Sequence, residues 1–281
     1  MKQILVPTDF STCADNAVNF AVQSAKIFPV EVMLLHAFEV KGNIYTDYMG
    51  VNKEFNQSLL DEVENKLSQL KSNIEKTEGI VVTTYIFKGT VNEAILQTAE
   101  DKNIGLIVMG TLGARGIKEK VWGSNASAII GNSKVPVMVI PYEYEWKKPK
   151  NILIATNHFE KEPATLNFLF NLADLYKAKM QVAVFTNEDD DNTITLLEHT
   201  RKTQEYEIML KKKYKEAMLT ATHLFGKEFE VTLEDYIRQN EIDILAMVTY
   251  QRSLWARISH PSMTKRMSYH TKIPLLAIPA K

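Results

Sequence analysis

Short apolar runs and longer periodic stretches alternate along the chain. Ile4-Leu-Val6 is a continuous apolar run closed by Pro7, the profile of a strand buried on both faces. Glu31 to His36, Ile80 to Phe87, Ile104 to Met109 and Val135 to Ile140 are read as further strands. Between them the pattern turns helical. Ala14, Val18, Ala21, Val22 and Ala25 fall near a 3.6-residue period, and Asp9 or Ser11 is placed to cap that helix. A second helix is expected over Val91 to Asp101. A longer one, over Lys53 to Lys76, carries Leu60, Val63, Leu67, Leu70 and Ile74 at spacings of three and four. That stripe is read as packing against a sheet face rather than as a partner-binding zipper. Residues 39–52, with Gly42, Asn43 and Gly50, read as a loop before it. Strands alternating with helices predict a parallel sheet with right-handed crossovers and helices on both faces.

The pattern occurs twice. Lys2-Gln-Ile-Leu-Val-Pro-Thr-Asp9 returns as Lys150-Asn-Ile-Leu-Ile-Ala-Thr-Asn157, and Val135-Pro-Val-Met-Val-Ile-Pro141 as Ile273-Pro-Leu-Leu-Ala-Ile-Pro279. The second copy offers strands at Ile152 to Ala155, Met180 to Phe185 and Glu241 to Met247, with a helix over Pro163 to Tyr176. The expected architecture is α/β, with two tandem doubly wound parallel sheets in domains 1–145 and 146–281. Tyr142 to Pro149 is a linker too short to let the halves drift apart, so an internal pseudo-dimer is expected, with further pairing of whole chains left open.

Composition changes this picture little. Two domains suit 281 residues, and each is long enough to bury a core without metal or disulfide. A net charge of −1 offers no single-sign field, so neither nucleic acid nor an anionic membrane is an expected partner. The runs Asp189 to Asp191 and Lys211 to Lys213 read as solvated helix ends. The single cysteine, Cys13, excludes a disulfide framework. The N-terminus lacks a signal-peptide pattern, and no apolar run reaches the ~18 residues of a membrane span, which makes a cytoplasmic location the expectation.

Chemistry concentrates in one glycine loop. Met109-Gly110 ends a strand, Gly113 follows, and Gly123-Ser124 opens a helix. Glycines let backbone amides approach a ligand without a Cβ between. The helix from Ser124 would aim free N–H groups and its positive dipole end at an anion, with Ser124 and Asn125 adding side-chain donors and Arg115, Lys118 and Lys120 adding charge. The spacing is neither a Walker loop nor a dinucleotide fingerprint. At the matching places the second copy reads Val248, Gln251, Pro261 and Ser262.

With Ile4 to Asp9, Leu35-His36, Ile107 to Gly110, the Gly110–Ser124 loop and Pro136 to Pro141 in view, the chain resembles a tandem-domain universal stress protein of the UspA-like family. The resemblance implies an adenine-nucleotide alpha hydrolase-like fold, with five strands in the order 3-2-1-4-5 and nucleotide at the switch between strands one and four. It implies ATP, or ADP or AMP, as the cofactor. Asp9 would accept from the ribose, Pro7 and Thr8 would shape the sugar pocket, and the Ala37 backbone would read the adenine edge. Met109, Gly110, Gly113, Gly123, Ser124 and Asn125 would line ribose and phosphates, and a Mg2+ ion would be held mostly by those phosphates rather than by protein ligands. Two departures stand in the first copy: Ala126 where many members carry Ser or Thr, and Leu112 where His is frequent. In the second copy Asn157 replaces the Asp, the glycines are gone, and Arg252, Arg257, His260, Lys265 and Arg266 populate the loop.

Other single residues point to structure. His36 reads as a hydrogen-bonded core histidine, and Cys13 has no second cysteine to resolve an oxidised thiol. His158, His199, His223, His260 and His270 lack metal-ligand spacing, and no catalytic set is recognisable from residue order. Three readings stay open. One is a nucleotide-dependent regulatory protein of the stress response acting on an unidentified protein partner. The second is a slow ATPase. The third is a nucleotide-free stress protein, structural or taking an apolar ligand or protein in the interdomain groove or second domain, supported by Ala126, Leu112 and the linker aromatics Tyr142, Tyr144 and Trp146.

Overall fold

The apolar runs are parallel strands, and the periodic stretches cover them. The computed structural model describes residues 2–39, 51–111, 124–156, 158–188, 193–215, 218–249 and 272–280. The chain divides into two compact units, Met1–Tyr142 and Glu143–Lys281. The first holds β1 (Gln3–Pro7), α1 (Thr12–Ile27), β2 (Glu31–Phe38), α2 (Val51–Glu78), β3 (Val82–Lys88), α3 (Val91–Asp101), β4 (Leu106–Gly110), α4 (Ser124–Asn132) and β5 (Val137–Ile140). Its strands run in the order β3-β2-β1-β4-β5, all parallel.

The second unit holds β6 (Asn151–Thr156), α5 (Pro163–Tyr176), β7 (Lys179–Asn187), α6 (Thr193–Tyr214), β8 (Thr220–Gly226), α7 (Phe229–Gln239), β9 (Ile244–Thr249) and β10 (Leu275–Pro279). Its strands follow the matching order, β8-β7-β6-β9-β10, again all parallel.

Local chemistry accounts for the element ends. Ser11 caps α1 by accepting from the Ala14 N–H, and the Ala14, Ala17, Val18, Ala21 and Val22 face is buried. Thr90 and Glu93 form a reciprocal capping box that starts α3 where the sequence places it. Pro163 in the first turn opens α5, and Lys177 in the left-handed region closes it. Three strands begin two residues later than expected. Ile104 is still closing α3, its N–H bonded to the Ala99 carbonyl. Val135 is held in a turn by Ser133, which takes its N–H and donates to its carbonyl. In β3 the first residue, Val82, gives its N–H to the Glu75 carboxylate at the end of α2. The α2 stripe packs on β3 and β2, with Leu67 and Ile74 buried, as a sheet-facing helix should. Among the described residues no helix is long and apolar enough to cross a membrane.

Candidate functional site

In the first unit the chain order reverses between β1 and β4, and a ladder defect opens there. Hydrogen-bonding direction alternates along a strand. The Thr8 N–H bonds the Leu35 carbonyl of β2 at 2.8 Å, so Pro7 is the residue turned toward β4. Proline has no N–H to give. Pairing of β1 with β4 stops at Leu5↔Ile107, while pairing with β2 continues to Pro7↔Leu35. Pro7 therefore ends one ladder and spares the other.

Two backbone segments face the gap. Leu35 bonds toward β1, and the Phe38 carbonyl accepts from Gly89 on the β3 side, so the N–H and C=O of Ala37 turn toward the space that β1 vacates. On the other wall, Ile107 and Thr111 give their N–H groups to Pro136 and Ile140 beside them, which turns the Gly110 backbone toward β1. Both segments offer a donor and an acceptor that the ladder leaves unused.

Gly110 has a second reason to lack a side chain. A Cβ there would lie 2.6 Å from the Cys13 carbonyl oxygen and 2.7 Å from its sulfur. The first turn of α1 presses against the end of β4, and the buried Cys13 Sγ contacts Thr111 Oγ1 at 3.7 Å. Packing of Cys13 demands this glycine whether or not a ligand approaches it. No pattern local to either residue announces that contact.

The turn after β1 carries Asp9. Thr8 is buried, and its hydroxyl accepts from the Phe10 N–H at 3.0 Å; the exposed Asp9 accepts from the Ser11 N–H through Oδ1 at 3.1 Å. Phe10 sits at φ 61°, a left-handed conformation that costs a side-chain-bearing residue about 1–2 kcal/mol. His36, the next residue of β2 after Leu35, offsets that cost from two directions. Its Nδ1–H donates to the Thr8 carbonyl at 2.8 Å, and its ring stacks on Phe10 with centroids 5.0 Å apart. Lys66 of α2 covers the far side, with its ammonium 5.8 Å from the Phe10 centroid. Burial holds the His36 imidazole below the usual histidine range, against the opposing pull of the Thr8 bond and Asp9 and with a contribution from Lys66. Because a carbonyl only accepts, the neutral ring carries its proton on Nδ1. Asp15, one turn into α1, is pushed up by its own burial and then by Asp9.

Met109 is buried at the end of β4. Ser124 and Asn125 open α4, Ser124 exposed and Asn125 partly buried, while the Ala126 methyl is buried and turned inward. Gly113 and Gly123 lie outside the described residues, as do Leu112, Arg115, Lys118, Lys120 and the loop of residues 40–50. So the structure brings Pro7, Thr8, Asp9, Ala37, Met109 and Gly110 to the ends of three adjacent strands. It says nothing of the two loop glycines. The contribution of His36 to this turn goes beyond the core histidine expected from the sequence, where it stands one residue past the apolar run of β2.

The second unit keeps the backbone device and changes its surroundings. Thr156 Oγ1 accepts from the His158 N–H at 3.2 Å, as Thr8 does for Phe10, and also donates to the His158 carbonyl at 2.8 Å. By register Val184 of β7 lies opposite Thr156, where His36 stands in the first unit. Glu160 is buried beside this turn. It takes the Glu162 N–H at 2.6 Å, its second oxygen lies 3.6 Å from His158 Nε2, and its carbonyl receives the Tyr206 hydroxyl. Asn157, Arg252, Arg257, His260, Lys265, Arg266 and His270 lie outside the described residues. Among the described residues no group of three or more His, Cys, Asp or Glu side chains is placed to hold a metal ion. In the linker, Tyr144 is half-buried, and its hydroxyl donates to the Lys147 carbonyl at 3.4 Å. Burial pushes its phenol up to about 12.

Comparison with known proteins points to one family. A model of the Universal stress protein family matches residues 1–141. Universal stress protein MJ0577 of Methanocaldococcus jannaschii is 33% identical over 153 residues, covering 50% of this chain and 94% of that protein. Universal stress protein MJ0531 of the same organism is 32% identical over 149 residues, covering 53% of this chain and 84% of that protein. Over nearly the full length the chain is similar in fold to the crystal structure of a universal stress protein from Archaeoglobus fulgidus. That match has a TM-score of 0.68 at 17% identity and covers 99% of this chain and 96% of the other.

Proposed function

We propose, since the chain belongs to the universal stress protein family, that its first unit binds an adenine nucleotide and that occupancy regulates what the protein offers to a protein partner. The observation that carries this reading is the gap beside Pro7, where the Ala37 and Gly110 backbones face a space that Asp9 borders. A purine edge needs one donor and one acceptor side by side, which the backbone of one extended residue supplies. A ribose needs an acceptor for its hydroxyls, and the exposed Asp9 carboxylate is of that kind. Phosphates need donors and positive potential; the start of α4 supplies both, with Ser124 at the entrance. The negative charge of Asp9 and Asp15 suits the sugar end and disfavours phosphates there, which gives the ligand a direction. These groups bind and orient. The role proposed is regulatory, with ligand-dependent populations of two surfaces rather than turnover.

Calorimetric titration of Mg-ATP into the full chain tests this, with Asp9→Asn and Gly123→Val alongside and a thermal melt for each. Asp9→Asn keeps an oxygen for the Ser11 N–H while removing the charge. One-to-one binding in the micromolar range is expected, about tenfold weaker in Asp9→Asn and absent in Gly123→Val. At millimolar ATP a ~10 μM site stabilises by ~2.7 kcal/mol; no heat and no melting shift would overturn the reading. Parallel titrations of ADP and AMP rank the phosphates.

A further inference from the structure

Asp9 is held from both sides by a single side chain. The residue before it, Thr8, gives its carbonyl to His36 Nδ1–H, and the residue after it, Phe10, lays its ring on the His36 imidazole. Resting on the nucleotide reading, we propose that His36 is a positioning residue for the ribose: it touches no ligand itself, but fixes the left-handed turn that presents the Asp9 carboxylate at the gap beside Pro7.

Three observations support this. The turn is strained at Phe10, so it needs an external partner to persist. The partner comes from β2, the same strand whose next residue, Ala37, faces the gap. Adjacent residues of one strand therefore set the sugar end and the base end of the site in fixed relation. The second unit is an internal control. Where Asn157 replaces Asp9, the opposing residue on β7 is Val184, whose side chain can neither donate to a carbonyl nor stack, and Thr156 Oγ1 there also donates to the His158 carbonyl. The acidic residue and its imidazole support are missing together, while the hydroxyl that builds the turn is retained. A histidine kept for packing alone would leave no such pairing.

The experiment separates ribose recognition from general damage by using a ligand without ribose hydroxyls. ATP and 2′,3′-dideoxy-ATP are titrated into wild type, His36→Phe and His36→Asn, with melting temperature measured for each. Wild type should prefer ATP by about tenfold, the scale of one charge-assisted hydrogen-bonding pair. His36→Phe keeps an aromatic ring for Phe10 but loses the donor, and its preference should collapse to within about twofold through weaker ATP binding, with dideoxy-ATP binding unchanged. Asn presents an N–H near the position of Nδ1, so His36→Asn should recover a good part of the preference. An unchanged preference in His36→Phe, or an equal loss for both ligands, overturns the positioning role. A wild type that binds ATP without preferring it removes Asp9 from the ribose and His36 with it, and a wild type that binds neither ligand overturns the nucleotide reading on which the role rests.

Discussion

In the first unit the turn after β1 carries its carboxylate between an imidazole-bound carbonyl and a stacked phenyl ring. In the second unit the turn after β6 closes on Thr156 and buries Glu160 beneath Tyr206. The two turns share a threonine hydroxyl that accepts from the N–H two residues on. That shared bond turns the chain at the end of the strand in both units, while the helices that follow start on their own caps, Ser11 and Glu162. What differs is everything turned toward the strand ends: Phe10 against His158, His36 against Val184, Gly110 against Val248. The comparison teaches that the repeat preserves what folds the domain and changes what faces its crevice.

The largest effect that would sharpen this contrast lies at the base of the second unit. Asp243 is buried, and its carboxylate accepts the Lys150 and Asn151 N–H groups at 2.7 and 3.0 Å and meets Lys147 at 2.6 Å. Gly105 holds the matching place in the first unit and makes only the backbone bond, from its N–H to the Gln3 carbonyl. Asp243→Gly makes the second unit resemble the first and orphans two N–H groups. It should cost about 3 kcal/mol, seen as faster hydrogen exchange confined to the second unit. Unchanged exchange at β6 would mean that the carboxylate adds nothing to the backbone bond.

Next comes Gly110→Ala. Its methyl would meet the Cys13 carbonyl oxygen, which cannot swing away, as well as the Cys13 sulfur, so a loss of about 2 kcal/mol is expected by urea unfolding. Val248→Ala, in the second unit, should cost less. Equal costs would remove the close approach of α1 to β4 as the reason for the glycine.

Smaller still are Thr8→Val and Thr156→Val. Each takes an acceptor from one turn N–H, worth about 1 kcal/mol, and Thr156→Val also loses its donation to the His158 carbonyl, so its cost should be the larger. No loss in Thr8→Val would break the claim that the two turns share one device.

The smallest effect is a pH dependence. His36 is held below its ordinary value of 6.5, so just below pH 6.5 the unfolded chain takes up a proton that the folded turn resists. The stability of the first unit should fall as pH drops through that window, and His36→Phe should flatten the slope. Urea midpoints followed by hydrogen exchange in the first unit at pH 7.5, 6.5 and 5.5 check this. A slope that survives the substitution would assign it to another group.

Much of the architecture was legible because buried parallel strands must be continuously apolar and capped helices announce their starts. The stretch from Val91 and the Pro163 start were placed to the residue, and the Thr90–Glu93 capping box found in the structure explains the first. β8 and α7 were not assigned individually, and their chemistry explains why. β8 mixes His223 and threonines with apolar residues, since His223 bonds Thr186 and Thr200, and α7 opens with β-favouring Phe229 and Val231 and no side-chain cap. The candidate site was legible as a set of residue types: Asp9 closing a strand, glycines after another, a serine at a helix start. Its arrangement was not. The role of Pro7 depends on which neighbour its missing N–H would face, and the role of Gly110 on how closely Cys13 approaches. The role of His36 depends on a turn 28 residues away along the chain. Periodicity, capping chemistry and the internal repeat are properties of neighbours in sequence, so the amino-acid order alone decided the elements and their duplication. Which strand turns its backbone toward the gap, and which side chain steadies Asp9 beside it, are relations across a sheet that exist only once β1 lies between β2 and β4.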